Sequence, residues 1–383
     1  MRVAVVGAGI AGLRTAQLLE RGGVEVTVFE ARNRTGGRLW TTRVGNAEFE
    51  AGAEWFDTEH ARVFGLLKEL GLTAVPSDSR PRRYHFCGHE VMRPEVAVSP
   101  DAKGESLADA LDAAAKSFTE RAFLESVALS DEGTDSDRVD LAEWRRFAEN
   151  YAGRSDATEG MSALRLPVSA TELCERIAKT IEGEVFLNAE VNGVHDANGV
   201  SLSFTDGTSE AFDEAVLTLP PTCLEHLDYD GSLVWRGVGM TPTCKVALLF
   251  DRPFWEAEDW SGHLMSDLAI QQAWSDGNAI VCYINGRGME DIVKHADPVE
   301  AALESFEQVA PQARRHFVAG RLVDWRADPY SGGGFPFVAP GSRRQTPPST
   351  GPVRFAGDWT AQWMGFVEGA LESAERVIEE MRS

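Results

Sequence analysis

The sequence predicts an α/β fold, on three observations at its N-terminus. Residues 2–6 are a short β-rich apolar run, residues 7–12 read Gly7-Ala8-Gly9-Ile10-Ala11-Gly12, and residues 24–29 form a second apolar run that ends on Glu30. The helix between the two runs covers residues 11–21, with Leu13, Ala16, Leu18 and Leu19 at apolar spacing. This is a βαβ unit with a GxGxxG turn and an acid eighteen positions past Gly12, the arrangement of a Rossmann-like dinucleotide site. Gly7 makes the tight turn, Gly9 lets a pyrophosphate approach the backbone, and Gly12 lets helix and strand pack closely.

Composition bounds the rest. At 383 residues with 43% hydrophobic and 9% aromatic side chains, the chain is globular and long enough for two domains. A net charge of −23 argues against nucleic acid, which is bound by an excess of lysine and arginine. The same charge could draw small cations toward the protein or simply keep it soluble. Cys87, Cys174, Cys223, Cys244 and Cys282 are scattered without a CxxC pair, so neither a disulfide framework nor a metal site is expected. The eight histidines, His85, His89 and His263 among them, show no metal-ligand spacing. The first strand begins at residue 2 and no apolar run reaches membrane-spanning length, so a soluble cytoplasmic protein is expected.

The later elements follow in order. After residue 56 the chain turns to helix-forming stretches: residues 107–129 read as one amphipathic helix, and the acidic stretch 131–140 as a solvated loop. A helix over 169–181 precedes a strand around 185–187 and then Ala189-Glu190-Val191. Residues 200–204, a turn at Asp206-Gly207 and the run 215–221 suggest a hairpin feeding back to the nucleotide-binding sheet. Lys245 interrupts an apolar β-run within 241–250, followed by Pro253-Phe254-Trp255. A second glycine-rich stretch runs from Trp325 to Gly334-Phe335. Arg354-Phe355-Ala356-Gly357-Asp358-Trp359, Gly365-Phe366-Val367-Glu368-Gly369 and a regular helix close the chain.

Three strings carry more than periodicity. Glu30-Ala31-Arg32-Asn33-Arg34-Thr35-Gly36-Gly37-Arg38, Gly52-Ala53-Glu54-Trp55 and the C-terminal motif around Gly357-Asp358 together resemble flavin-dependent amine oxidases of the monoamine and polyamine oxidase type. The resemblance implies an FAD-binding domain built from residues 1–55, 160–232 and 336–383, interleaved with an α+β substrate-binding domain from 56–159 and 233–335.

The roles that the resemblance implies follow its motifs. Gly7, Gly9, Gly12, Glu30, Arg32, Gly37, Arg38, Gly52, Ala53, Val191, Trp325, Gly357, Asp358, Phe366 and Val367 would hold FAD. Glu30 grips the adenosine ribose, Val191 meets the adenine through its backbone, and Asp358 accepts from the ribityl chain. The helix after Phe366 turns its positive end toward the flavin. Gly334 stands where the mitochondrial enzymes carry the cysteine that binds flavin, so FAD is expected without a covalent bond. Those enzymes also carry a C-terminal membrane tail that has no counterpart after Met381, so no membrane attachment is expected.

Lys245, Phe335 and Phe366 are the implied catalytic residues: the lysine holds a water at flavin N5, and the two rings flank the substrate amine. Having phenylalanines in place of two tyrosines favours an apolar substrate body. The implied reaction is oxidation of an amine to an imine, with hydride transfer to flavin N5 and reoxidation by O2 to H2O2, in a monomer or homodimer. Two further readings stay open. One is an L-amino-acid oxidase, for which Arg82, Arg83, Arg165 and Arg287 could take the carboxylate, or a renalase-like NAD(P)H oxidase of the same fold. The other is a flavoprotein interaction module without turnover.

Overall fold

The computed structural model describes residues 1–77, 82–151, 164–196, 199–229, 237–346 and 351–382. Its N-terminal sheet has five parallel strands, in the order Val185–Phe186, Glu25–Phe29, Arg2–Val6, Glu214–Leu217 and Val353–Phe355. A parallel strand covered on both faces needs a continuous apolar run, and residues 3–6 supply one. Val3 and Val5 face the helices Ile10–Arg21 and Val367–Arg382, while Ala4 and Val6 face the antiparallel strands Val191–Asp196, Val200–Phe204 and Ser209–Phe212. Three stretches far apart in sequence thus enter one sheet. The expected domain boundaries at residues 160 and 232 lie outside the described residues.

A seven-stranded sheet forms the second body, with Thr243–Phe250 between Phe317–Asp324 and Ala279–Asn285. All eight residues of Thr243–Phe250 are buried. Cys244, Val246 and Leu248 pack under the helix Pro298–Glu307; Ala247 and Leu249 point the other way, onto Val44 and Phe49. Lys245 shares that second face by the period of the strand, which aims it toward the first domain.

Three expectations are corrected. Residues 107–129 are not one helix but two, Leu107–Ala114 and Phe118–Glu132. Ser106 and Ser117 each accept an amide three residues on, from Asp109 and Glu120, and Ala115 leaves the helical region at ψ 134°. The second Ser-x-x-acid start had been hidden by apolar spacing that runs through both helices. The stretch 131–140 is not a solvated loop either. Asp131 and Glu132 end the helix, Gly133 caps it in the left-handed region at φ 65°, and Thr134, Ser136 and Val139 are buried. Its acids are used locally: Asp135 pairs with Arg287, and Asp140 caps the helix Leu141–Glu149. The helix at 169–181 is shorter than expected, Ala170–Ala178 with Ser169 as its cap.

Candidate active site

The glycine turn is built as the residue types require. Gly7 sits at φ 103°, and a Cβ on Gly12 would lie 1.9 Å from the Gly7 carbonyl oxygen, so neither position admits a side chain. A Cβ on Gly9 would meet nothing within 4 Å. That empty side opens onto a cavity of about 520 Å³. Gly9 caps the helix Ile10–Arg21 without a side-chain hydrogen bond, so the first-turn amides of that helix are free of side-chain acceptors at the cavity wall. Such a turn is an anion site by its own construction.

Glu30 is buried where the second strand ends. Its Oε2 accepts from the Ala8 amide at 2.8 Å and its Oε1 from the Arg32 amide at 2.9 Å, which fixes the carboxylate and leaves a lone pair on each oxygen. Arg32 bonds Asp328 and Ser331 across the cavity mouth. Gly37, at φ 58°, lies against Gly9, where a Cβ would be 3.3 Å from the Gly9 Cα. Arg38 then reaches across to Asp358 at 2.6 and 3.0 Å and to the Gly334 carbonyl at 2.8 Å. A Cβ on Gly52 would meet the Arg38 carbonyl oxygen at 1.7 Å, so this close crossing of two segments admits only glycine.

The other walls come from distant parts of the chain. Ala53, Val191 and Gly357 line the cavity, and Trp325 does so with its indole N–H held by the Ala51 carbonyl at 2.8 Å. Phe366 and Val367 bring the start of the helix Val367–Arg382 to the same space. Of the residues expected to hold FAD or to act in catalysis, Gly12 alone does not line it, having the packing role already described; of the four arginines considered for a carboxylate, Arg82 lines it and Arg83, Arg165 and Arg287 do not. Gly334 has no room for any side chain, since a Cβ there would lie 2.6 Å from Thr243.

Phe335 and Phe366 both open onto the cavity without stacking on each other: Phe335 meets Tyr283 edge-on at 6.2 Å, and Phe366 stacks on Phe147 at 5.5 Å. Phe366 is backed by His60, whose Nδ1 accepts from the Asp57 amide at 3.1 Å. Burial lowers that imidazole to about 4, so it is neutral with the proton on Nε2.

Lys245 lines the cavity, but its ammonium is fully engaged. It donates to the Glu50 carbonyl at 2.9 Å, the Gly52 carbonyl at 2.8 Å and Glu54 Oε1 at 2.9 Å, and lies 4.9 Å from the centre of the Trp274 ring. Glu54 also accepts from Trp274 Nε1 at 3.0 Å and Arg165 at 2.7 Å. An ammonium has three hydrogens, so a water could be held only by displacing one of these partners. Sequence reasoning quoted Glu54 within its motif and gave it no role. It also passed over Trp274, Tyr283 and Asp131 in the cavity wall. The two aromatics sit on the strands Gln272–Asp276 and Ala279–Asn285, in a stretch that carries no motif, and Asp131 sits in the stretch read as loop. Among the described residues no group of three or more His, Cys, Asp or Glu side chains could hold a metal ion.

Known proteins match this arrangement along the whole chain. The family model for flavin containing amine oxidoreductases matches residues 10–169 and 164–381. A probable flavin-containing monoamine oxidase A of Dictyostelium discoideum is 23% identical over 99% of this chain and 97% of its own. An L-amino acid dehydrogenase of Synechocystis is also 23% identical, over 97% of this chain and 92% of its own. Among solved structures, a putrescine oxidase bound to putrescine superposes with a TM-score of 0.85 at 20% identity, covering 100% of this chain and 99% of that one.

Proposed function

The chain belongs to the flavin-containing amine oxidoreductases and is an FAD-dependent amine oxidase, and from that premise we propose that it converts a primary or secondary amine to the imine, with O2 as acceptor and H2O2 as product. One observation carries this reading: two separate rings, Phe335 and Phe366, open onto the same cavity as the glycine turn, Glu30 and Lys245. When bound, FAD supplies the two-electron chemistry, taking hydride from the carbon that bears the nitrogen and passing electrons to oxygen.

The residues present fit that group. The unfilled side of Gly9 and the uncapped helix start suit a pyrophosphate, and Glu30 keeps lone pairs for a ribose hydroxyl. In this reading Val191 would meet the adenine, and Arg38 with Asp358 would hold the ribityl chain. The start of the helix Val367–Arg382 would offer its partial positive charge to the flavin. Gly334 offers no nucleophile and no space for one, in keeping with FAD held without a covalent bond.

The protein's own contribution is positioning. Phe335 and Phe366 would hold the amine between them and exclude water, so that it reacts as the free base. Lys245 would contribute a fixed positive charge, anchored by Glu54, that favours electron transfer to oxygen. A second reading has its own observation: Arg82 lines the cavity and could take the carboxylate of an amino acid. Aerobic assays over amines and amino acids test both, by whether peroxide and carbonyl product appear in equal amounts. Carbonyl product without peroxide would remove O2 as the acceptor, and turnover of amino acids alone would favour the second reading.

A further inference from the structure

The Phe335 amide donates to a side chain rather than to a main-chain carbonyl: its acceptor is Thr241 Oγ1, at 2.9 Å. Two main-chain bonds pin the same threonine to this segment, from the Thr241 amide to the Phe335 carbonyl at 2.7 Å and from the Gly334 amide to the Thr241 carbonyl at 3.0 Å. The Thr241 hydroxyl lies 3.0 Å from that of Thr243, which donates to Asn285 Oδ1 at 2.8 Å. With Thr241, Thr243 and Asn285 all buried, each hydroxyl hydrogen needs a protein partner. An amide oxygen has no hydrogen to give. The Thr243 hydrogen therefore goes to Asn285, the Thr241 hydrogen goes to Thr243, and a lone pair of Thr241 is left for the Phe335 amide.

The row continues beyond Asn285. Burial raises the pKa of the Tyr283 hydroxyl, and a hydrogen bond with the Asn285 side chain opposes that shift, which makes Asn285 the donor. Tyr283 in turn donates to the Ser130 carbonyl at 3.5 Å, in the last turn of the helix Phe118–Glu132. Every bond of the row points the same way, so each polarises the next. Its two ends are the backbone of Phe335 and the hydroxyl of Tyr283, residues that both line the cavity and whose rings meet edge-on at 6.2 Å.

Strand register builds this row. Across the antiparallel pair Thr243–Phe250 and Ala279–Asn285, Thr243 stands opposite Asn285 and Lys245 opposite Tyr283, and side chains two apart share a face. Packing leaves little room for a shift: a Cβ on Gly334 would lie 2.6 Å from Thr243, and one on Gly133 would lie 2.9 Å from Thr241 Oγ1 and 2.3 Å from the Phe335 ring. Thr243 also reaches the cavity wall, with its hydrogen already given to Asn285. Valines would fill the same volume, so what the two hydroxyls add is direction and a partner for the Phe335 amide. We propose that Thr241, Thr243 and Asn285 are positioning residues for the oxidation: acting through the Phe335 backbone, they fix that ring against Tyr283 in the orientation that presents the substrate's carbon–hydrogen bond for reaction. The inference rests on the amine-oxidising reading above for the identity of the substrate.

The test follows flavin reduction by anaerobic stopped flow in the FAD-loaded wild type and in Thr241→Val, Thr241→Ser and Thr243→Val. Because a misplacement of about 1 Å can cost about a hundredfold, Thr241→Val should lower the limiting reduction rate at least about tenfold, while the apparent dissociation constant of the substrate moves less than about threefold. Thr241→Ser keeps the hydroxyl and should stay within about threefold of the wild type. Thr243→Val breaks the row at its middle and should fall between the two. Coupling separates positioning from support of the fold. In a Phe335→Leu background, with no ring left to orient, Thr241→Val should alter the rate less than about twofold, whereas a threonine that only supports the fold would cost the same in both backgrounds. Exchange of the Phe335 amide with deuterium, followed without substrate, should be faster in Thr241→Val than in Thr241→Ser. Unchanged reduction in Thr241→Val, an undiminished loss in the Phe335→Leu background, or equal amide exchange in the two threonine variants overturns the proposal. The comparison uses whichever of amine, amino acid or NADH bleaches the wild-type flavin. Failure of the amine-oxidising reading then appears in the identity of the reductant, and failure of the proposal in the absence of coupling.

Discussion

Lys245 is the residue whose sequence reading and geometry differ most usefully. Its place in the strand predicts a cavity-facing ammonium, and the period of Thr243–Phe250 delivers it there, but its three donors end on Glu50, Gly52 and Glu54. If its charge assists the reaction with oxygen, Lys245→Met should still bind FAD, and its chemically reduced flavin should reoxidise at least about tenfold more slowly, roughly 1.4 kcal/mol on the barrier. Glu54 keeps Arg165 and Trp274 in that variant, so folding should survive. Stopped-flow mixing with oxygenated buffer reads the rate directly, and equal rates in the two proteins would return Lys245 to a purely structural ion pair. Phe366 makes a matching case. Phe366→Ala should weaken flavin reduction by amine far more than flavin binding, because the ring backs onto Phe147 and His60 rather than onto the glycine turn. Unchanged reduction kinetics at all amine concentrations would place it in the core. Residues such as Gly9, Glu30 and Arg38 were legible because each belongs to a contiguous string with one backbone solution. The place of Asp131 in the cavity wall was not, since it depends on contacts of its helix end with Gln272, Tyr283 and Phe335, more than 130 positions downstream.

At the scale of elements, strands were read more faithfully than helix boundaries. The runs at 2–6 and 241–250 are buried on both faces, so apolar continuity identifies them. The break between Leu107–Ala114 and Phe118–Glu132 was missed because capping serines compete weakly with sustained apolar spacing. The hairpin Thr41–Val44 and Ala47–Glu50 carries a pH signature of its own. Burial raises the Glu50 carboxyl from 4.5 to about 7, aided by the charge of Glu54 and opposed by the Ala170 amide, Thr41 and Lys245. The folded protein thus binds this proton more tightly than the unfolded chain does. The stability contributed is complete below the ordinary value and is lost as pH rises toward 7, up to roughly 3 kcal/mol. Glu50→Gln should therefore raise the melting temperature at about pH 8, with the gain shrinking as pH falls toward 5. Thermal melts across that range check it; a gain that grows on acidification would contradict the assignment.

For the whole molecule, interleaving is the feature that ties fold to site. One parallel sheet draws on residues 2–29, 185–217 and 353–355, and the mostly antiparallel sheet that contributes Lys245, Trp274 and Tyr283 comes from the intervening chain. The cavity lies where the two bodies meet, so no single segment contains it. The two glycine-rich ends were readable because backbone geometry alone dictates their residues; the wall built between helix Phe118–Glu132 and the central sheet was not, because only tertiary packing brings it together. Among the described residues no helix is long and apolar enough to cross a membrane. The net charge of −23 suits attraction of cationic substrates to the cavity mouth, an effect that salt should weaken. The central claim, that this cavity oxidises amines, is tested most directly by anaerobic mixing of the FAD-loaded protein with amines, amino acids and NADH while the oxidised flavin absorbance is followed. Bleaching by amines, with full recovery of colour on admitting oxygen, is the expected result; bleaching by NADH with none by any amine would contradict it.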